Sequence, residues 1–240
     1  MLAIITGTIR PNNQVGHLVL KNETERLQQY KDALLFTIQS GAFSKIVFCE
    51  NSSYGTECFN DLKKEADKCA VDLELLSFAG NNEAVLKYGK GYGEGEIMNY
   101  VFANSSLLSK EMSFVKLTGR LKIVNIKKIC KKINPDKCYF NIPNRTIRDY
   151  YDTKLYAMPT AVFDKYFRKI YDKVKDEEGT YLEKVYTGVL EKQRIQVKNF
   201  PVYPRVIGVS GSLGYDYTYT EWKCRIKDII SFFGGYKVKV

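Results

Sequence analysis

The sequence predicts an α/β fold with a Rossmann-like N-terminal half and a mixed central sheet flanked by helices. In the first 120 residues, apolar runs typical of strands alternate with segments of helical periodicity. The predicted strands are residues 2–6, 45–49 and 73–78, a fourth begins at Phe114, and the predicted helices are residues 23–40, 57–71 and 97–108. Alternation of this kind implies parallel strands joined by right-handed crossovers.

The second half of the chain mixes shorter strands with helices, which predicts the mixed part of the sheet. The predicted strands are residues 139–142, 153–158, 195–197 and 205–209, the predicted helices are residues 163–174, 180–190 and 223–233, and residues 210–222 are predicted as a loop. Neither an internal repeat nor a low-complexity linker is apparent. We therefore expect one unit spanning residues 1–240.

The composition is that of a globular protein, with 45% hydrophobic and 27% charged residues. The net charge of +10 favours nucleic acid, an anionic membrane or phosphorylated small molecules as partners. The alternative is a solvated lysine-rich surface. Six cysteines without a CxxC pair, and no signal peptide or membrane-length apolar run, favour a reduced cytoplasmic protein. The single histidine, His17, argues against a zinc site or a serine–histidine triad.

Polar residues stand where the predicted N-terminal strands end. Because the carboxyl ends of parallel strands meet at one edge of a sheet, and ligands of such sheets bind there, we expect these residues to line a binding site. In chain order they are Thr6, Gly7, Thr8, Arg10, Glu50, Asn51, Thr118, Gly119 and Arg120.

A glycine-rich stretch at residues 88–96 is predicted as a flexible loop leading into the helix that begins at Ile97. Its spacing fits neither the dinucleotide fingerprint, which follows a first strand, nor a phosphate-binding loop with Gly-Lys-Ser/Thr. A helix N-terminus suits anions, so Lys90, Gly91 and Gly93 are candidates for phosphate contacts. The alternative is a surface turn, which two acids in the stretch would also fit.

The strand tips lack the closely spaced carboxylates that a divalent cation prefers. The fourth strand instead ends on Thr118, Gly119 and Arg120, and an arginine can neutralise phosphate oxygens without a metal. We therefore expect charge stabilisation by Arg120 and identify no metal ligand, with Mg²⁺ or Mn²⁺ left as an open alternative. Arg120 could also form an ion pair with an acid such as Asp152.

Two carboxylates are candidates for a general base. Glu183 lies at the edge of an apolar helical face, and Asp152 lies at the start of a strand. A base must reach the acceptor hydroxyl, which the sequence alone does not show. The alternative for Glu183 is a solvated helix charge.

Several segments together resemble the small bacterial glycosyltransferases of capsule and lipopolysaccharide loci. They are the polar turn after the first strand, the Glu-Asn end of the second, KGYGEGE, KLTGRL, DTKLYAMP, YLEKVY and GVSGSLG. These enzymes are similar to the GT-A class of nucleotide-sugar transferases, and the chain loosely resembles WavE-type lipopolysaccharide synthesis proteins. The resemblance covers about residues 1–215.

The resemblance implies transfer of a sugar from a nucleotide-sugar, most commonly a UDP-sugar, to a hydroxyl of a surface glycan or a lipid-linked acceptor. Residues 1–125 would bind the donor and residues 126–240 the acceptor. By position, the first strand tip would contact the phosphates or ribose, and Glu50 and Asn51 the base. Lys116 and Arg10 would join Arg120 in offsetting phosphate charge. The implied contacts from the late loop are Arg205, Ser210, Gly211 and Ser212. Metal dependence is not implied, because Asp-x-Asp is absent.

The predicted C-terminal helix is basic, aromatic and amphipathic, which suits an anionic leaflet or a lipid-linked acceptor. We expect a cytoplasmic protein, peripheral on the inner face of the membrane, unless the helix simply docks on the domain. Two other function classes stay open. A nucleic-acid-binding protein would explain the charge, but the basic residues are scattered and RNP1 is absent, so no nucleic-acid partner is expected. A nucleotidyltransferase would share the architecture.

Overall fold

The computed structural model describes residues 1–12, 20–141, 150–209 and 216–232, and a seven-stranded sheet forms its centre. In chain order the strands are β1 Leu2–Gly7, β2 Lys45–Glu50, β3 Asp72–Ser77, β4 Ser113–Thr118, β5 Lys122–Ile123, β6 Cys138–Asn141, β7 Asp152–Pro159, β8 Val197–Asn199, β9 Val206–Val209 and β10 Asp216–Tyr217. The central sheet has the order β3-β2-β1-β4-β7-β6-β8, and β10-β9-β5 form a small second sheet.

The first four strands of the central sheet are parallel, and the rest of the sheet is mixed. β3, β2, β1 and β4 run in one direction, β7 is antiparallel to β4 and β6, and β8 is parallel to β6. The chain moves outward from β1 to β2 and β3, then returns to the other side of β1 as β4. Strand order therefore reverses between β1 and β4, where an open α/β sheet has a crevice at its carboxyl edge. The predicted α/β fold class is confirmed.

Helices cover both faces of the sheet. They are α1 Glu23–Gln39, α2 Asn60–Lys68, α3 Asn82–Tyr88, α4 Lys90–Asn104, α5 Ile126–Cys130, α6 Thr160–Tyr166, α7 Leu182–Lys192 and α8 Glu221–Phe232. Alternate residues of β1 belong to different cores. Ala3 and Ile5 pack with α1, α2 and α5, whereas Leu2 and Ile4 pack with α4, α6 and α7. Burial on both faces explains why β1 reads as a continuous apolar run.

The glycine-rich stretch is helical, so the prediction of a flexible loop over residues 88–96 was wrong. Helix α3 ends at Tyr88, Gly89 turns the chain with φ 97°, and α4 begins at Lys90 instead of Ile97. A Cβ at Gly95 would collide with Tyr171, and one at Gly91 would lie 3.1 Å from Cβ of Leu182. These glycines therefore allow a close approach of α4 to its neighbours and are not a sign of flexibility.

Several other boundaries differ from the predictions. The expected helix at residues 163–174 is α6 followed by a separate 3₁₀ turn at Ile170–Lys173, and α3, α5, β5 and β10 were not predicted. Part of the predicted loop at 210–222 forms β10 and the start of α8, while residues 210–215 lie outside the described ranges. The C-terminal helix is present as α8, although the predicted end at Phe233 also lies outside those ranges.

Candidate functional site

A cleft of about 330 Å³ opens at the carboxyl edge of the sheet, next to the ends of β1 and β4. It brings together ten of the predicted site residues. They are Thr6, Gly7, Thr8, Asn51, Lys90, Gly91, Gly93, Thr118, Arg120 and Glu183. These residues come from β1, β2, β4, α4 and α7, or directly follow one of these strands, so the cleft joins the two halves of the chain.

The floor of the cleft is held by short links between adjacent strand ends. The Thr8 hydroxyl donates to Oδ1 of Asn51 at 2.6 Å, and the Gly119 backbone N–H donates to the Thr6 carbonyl at 3.0 Å. A Cβ at Gly119 would collide with that carbonyl and lie 2.8 Å from the ring of Tyr30. Glycine at this position therefore lets the chain after β4 close against β1.

Two buried arginines, Arg26 and Arg120, line one side of the cleft, and we call this group with Thr8 and Tyr30 the arginine side. Nε of Arg26 donates to the Thr8 carbonyl at 2.9 Å, and Nη1 of Arg120 donates to Oε1 of Gln29 at 3.0 Å. Both guanidinium carbons lie about 6 Å from the Tyr30 ring centroid, at 5.9 and 6.0 Å. Burial is the main cause that lowers the pKa of Arg26, and the positive charge of Arg120 lowers it further.

Three carboxylates line the opposite side, and we call Glu94, Asp176 and Glu183 the acid side. Glu183 is half-buried, and its Oε1 accepts a hydrogen bond from the Thr153 hydroxyl at 3.1 Å. Burial, and then the negative charges of Glu94 and Asp152, raise the pKa of Glu183. A carboxylate whose pKa is raised in a cleft is suited to accept a proton near neutral pH.

The N-terminus of α4 already has an anionic partner within the chain. The backbone N–H of Gly91 donates to Oδ2 of Asp176 at 3.3 Å, and burial raises the pKa of Asp176. Asp176 crosses directly over Gly89, where a Cβ would collide with it. Its carboxylate therefore stands where phosphate contacts were predicted from the glycine-rich stretch, although Lys90, Gly91 and Gly93 do line the cleft.

Lys116 lies between the two sides, fully buried beneath the cleft. Its ammonium contacts Glu94, donates to Oγ1 of Thr118 at 3.1 Å and donates to the Thr153 carbonyl at 2.9 Å. Lys116 was predicted to contact the phosphates of the nucleotide-sugar. In the structure its ammonium instead links β4 and β7 to α4. A direct bond to a ligand would require it to give up one of these partners.

The remaining predicted residues within the described ranges do not line the cleft. Arg10 is exposed and pairs with Glu23, while Glu50 is buried and accepts from backbone N–H groups of Ser52 and Tyr54. Asp152 pairs with Lys154, which itself lines the cleft. Arg205 pairs with Glu221 and Asp228 and so joins the start of β9 to α8. Ser210, Gly211 and Ser212 lie outside the described residues.

The donor atoms at the end of β4 do not suit a divalent cation. A hard cation prefers carboxylate oxygens, whereas this position offers a Thr118 hydroxyl already bonded to Lys116 and the guanidinium of Arg120. Across the four described ranges, no three Asp, Glu, His or Cys side chains are grouped as metal ligands.

Arg26 and Tyr30 were missed as site residues, although the sequence carries a signal for them. Both lie on α1 one turn apart, and their spacing puts them on the helix face that packs against the sheet. An arginine on a buried helix face needs an explanation, because a charged side chain is unfavourable there without a partner. That signal identifies Arg26 only when the adjacent strand ends are known to form a cleft.

Comparison with known proteins shows similarity in fold alone. No protein-family model and no curated protein matches the chain. The glycosyltransferase GlyE of Streptococcus pneumoniae superposes with a TM-score of 0.53 at 8% identity, covering 82% of this chain and 45% of that one. A nucleoside-diphosphate-sugar pyrophosphorylase from Vibrio cholerae gives 0.49 at 13% identity, with 83% and 91% covered. A protein assigned as a nucleotide-diphospho-sugar transferase from Desulfovibrio desulfuricans gives 0.46 at 12% identity, with 82% and 78% covered.

The likeness to GlyE agrees with the strand order, and the chain has a GT-A-like α/β fold. A likeness in fold at 8% identity does not separate sugar transfer from nucleotide transfer, because one fold can support different reactions. The capsule, lipopolysaccharide and WavE-like parts of the resemblance stay predictions.

The structure contributes one finding on membrane association. None of the helices within the described ranges is both long and apolar enough to cross a bilayer. Helix α8 does expose large apolar side chains one turn apart, with Trp222 60%, Ile226 49% and Ile229 59% exposed.

Proposed function

We propose that the protein is a glycosyltransferase that moves a sugar from a nucleotide-sugar donor to a hydroxyl of an acceptor. The observation that carries this proposal is the separation of charge across one cleft. Two buried arginines face the end of β1 and β4, and a half-buried carboxylate with a raised pKa lies opposite. Transfer from a sugar diphosphate needs both a cationic site for the leaving group and a base for the acceptor.

The proposed reaction is a displacement at the anomeric carbon of the donor sugar. The acceptor oxygen forms a bond to that carbon while its proton passes to Glu183. The bond between the carbon and the diphosphate oxygen breaks, and its electron pair leaves with the nucleoside diphosphate. Arg120 stabilises the charge that develops on this leaving group. Glu183 is favoured over Asp152 as the base, because Asp152 is engaged by Lys154 and does not line the cleft.

The donor is proposed to be a UDP-sugar, and the acceptor a surface glycan or a lipid-linked sugar in capsule or lipopolysaccharide synthesis. Tyr181 and Tyr217 line the cleft near the acid side, and aromatic faces suit the apolar face of a sugar ring. Residues 126–240 supply Glu183 and both tyrosines, in keeping with an acceptor-binding half.

Product analysis tests the proposed reaction. The protein is incubated with a panel of UDP-, GDP-, CMP- and dTDP-sugars and simple glycan acceptors, and the nucleotide products are separated by chromatography. Release of nucleoside diphosphate or monophosphate, coupled to a glycosylated acceptor, is expected. Pyrophosphate release from a nucleoside triphosphate and a sugar phosphate would instead identify a nucleotidyltransferase and contradict the proposal.

The protein is also proposed to act at the cytoplasmic face of a membrane, with α8 as the contact. The exposed Trp222, Ile226 and Ile229 repeat at helical spacing, and Lys223 and Arg225 are interspersed with them. Co-sedimentation with vesicles containing anionic lipid is expected to fall for the Trp222→Ser/Ile226→Ser variant. Equal sedimentation of the wild-type protein with neutral and anionic vesicles would contradict an electrostatic contact.

A further inference from the structure

The buried cations of the described residues fall into two kinds. Lys116 contacts Glu94, and Arg205 pairs with both Glu221 and Asp228. In those same ranges, neither Arg26 nor Arg120 has a carboxylate within ion-pair distance, although both are at most 9% exposed. A buried charge without a counter-ion is unfavourable, so a bound anion would stabilise these two side chains.

The hydrogen bonds of Arg120 leave most of its donors available. Among the described residues its guanidinium donates only to Oε1 of Gln29, at 3.0 Å. A guanidinium has several N–H donors in a planar fork, which matches the geometry of phosphate oxygens. The side chain lines the cleft, so the remaining donors have a route to a ligand.

Arg26 adds a second positive charge that its own contacts do not neutralise. It donates to the carbonyls of Thr8 and Leu20 at 2.9 and 3.0 Å and to the Tyr30 hydroxyl at 3.3 Å, all of them neutral oxygens. These bonds hold the guanidinium in place on the cleft wall. The guanidinium carbons of Arg26 and Arg120 lie 5.9 and 6.0 Å from the same Tyr30 ring centroid, and two like charges beside one ring favour a bound anion.

We infer that Arg26 and Arg120 form a diphosphate-binding site that functions without a divalent cation. A diphosphate is the ligand class that fits, because it presents two adjacent anionic groups to two guanidinium groups, whereas a single carboxylate would neutralise only one. The donor atoms at the end of β4 do not suit Mg²⁺ or Mn²⁺, so the arginines supply the charge that a metal would otherwise supply. Identifying the diphosphate as that of the sugar donor rests on the proposed function.

Calorimetric titration with inorganic pyrophosphate, and separately with UDP, tests the inference in buffer containing EDTA. The wild-type protein is expected to bind both ligands under these conditions. Arg120→Gln and Arg26→Gln should each weaken binding about ten-fold or more, since each removes charge-assisted bonds. The matched control is Arg168→Gln, because Arg168 pairs with Asp164 and does not line the cleft.

Thermal unfolding without ligand separates a binding role from a structural one. Removing a buried, uncompensated charge should leave the melting temperature of Arg120→Gln equal to or above that of the wild-type protein. Arg26→Gln also loses the bonds to the Thr8 and Leu20 carbonyls, so its melting temperature can fall for structural reasons. In that case the pyrophosphate affinity of Arg120→Gln alone tests the binding role.

Two results would overturn the inference: binding by the wild-type protein only when Mg²⁺ or Mn²⁺ is added, or full-strength pyrophosphate binding by Arg120→Gln. Neither result would contradict sugar transfer itself, which product analysis measures independently, although the second would remove Arg120 from the proposed leaving-group site. Conversely, metal-free binding that is lost in both variants would support the diphosphate site even if no sugar transfer were found.

Discussion

The arginine side and the acid side of the cleft differ in how completely the chain itself satisfies their charges. On the acid side, Glu94 contacts the ammonium of Lys116, while Asp176 and Glu183 accept from neutral donors, the Gly91 N–H and the Thr153 hydroxyl. The two arginines have only neutral partners among the described residues. The acid side therefore contains one internal ion pair, whereas neither arginine contacts a carboxylate of the described residues, and we propose that a bound anion balances their charge.

This difference separates the two tasks of a group-transfer site. A proton acceptor must be held in a fixed position with a tuned pKa, and internal hydrogen bonds and nearby acids provide both. A leaving-group site must bind an anion, and uncompensated cations provide the attraction. Lys116 couples the two, because it bonds to Thr118 below the arginine side and to Glu94 on the acid side.

The largest expected effect follows from removing the proposed base on the acid side. Glu183→Gln should lower the turnover number about 10²–10⁴-fold while leaving UDP binding intact, because the arginine side is unchanged. Steady-state kinetics and calorimetry on the same preparation measure the two effects. Glu191→Gln is the matched control, since Glu191 is an exposed residue of the same helix. Loss of UDP binding in Glu183→Gln would show that the two sides are not separable.

The same substitution should stabilise the protein above neutral pH. Burial raises the pKa of Glu183 in the folded state. In the pH interval between the ordinary pKa and the raised pKa, the folded protein therefore binds more protons than the unfolded chain. Stability is therefore lost over that interval, and glutamine avoids the loss. A melting temperature of Glu183→Gln below that of the wild-type protein at mildly alkaline pH would contradict the pKa direction.

A smaller effect is expected from disturbing the packing that positions the acid side. Gly95→Ala would drive a Cβ into Tyr171 and displace α4, which carries Glu94. We expect a loss of about 1–3 kcal/mol in the free energy of unfolding, measured in urea, together with lower turnover. UDP binding on the arginine side should change less than turnover does.

Gly188→Ala is the matched control for this packing effect. Gly188 lies in α7, and a Cβ there would meet nothing within 4 Å. Alanine restricts the unfolded chain and favours the helix, so this variant should be more stable by about 0.4–1 kcal/mol. Equal effects at the two glycines would mean that α4 is not held by close contact.

The sequence could predict the strand ends because burial on both faces produces uninterrupted apolar runs that stop at the sheet edge. It therefore located Thr8, Asn51, Thr118 and Arg120 at one cleft. It could not assign the glycines of α4, since a glycine that allows close packing and a glycine that allows a loop look identical until the contacting residue is known. Tyr171 is 76 positions from Gly95, so no local pattern links them.

Arg26 and Arg205 illustrate the same limit for charged residues. Arg205 lies near a glycine-containing loop and looked like a phosphate contact, but Glu221 and Asp228 from α8 neutralise it. Arg26 was not identified as a site residue from the sequence, yet it lies buried on the cleft wall. Which cation has a carboxylate partner depends on tertiary contacts, and composition and spacing do not contain that information.

The smallest effect concerns the tuning of the acid side and leaves its structure intact. Asp152 is one of the negative charges that raise the pKa of Glu183, after burial and Glu94, and its carboxylate also neutralises Lys154. Asp152→Asn removes the negative charge and leaves the Lys154 ammonium unpaired, so both changes lower the pKa of Glu183. The acidic limb of the pH profile of kcat/KM should therefore move to lower pH, by about one unit or less.

Asp164→Asn, which removes an exposed acid outside the cleft, should leave the limb in place. A limb that moves to higher pH in Asp152→Asn, or does not move at all, would mean that Glu183 is not the group whose ionisation limits the rate.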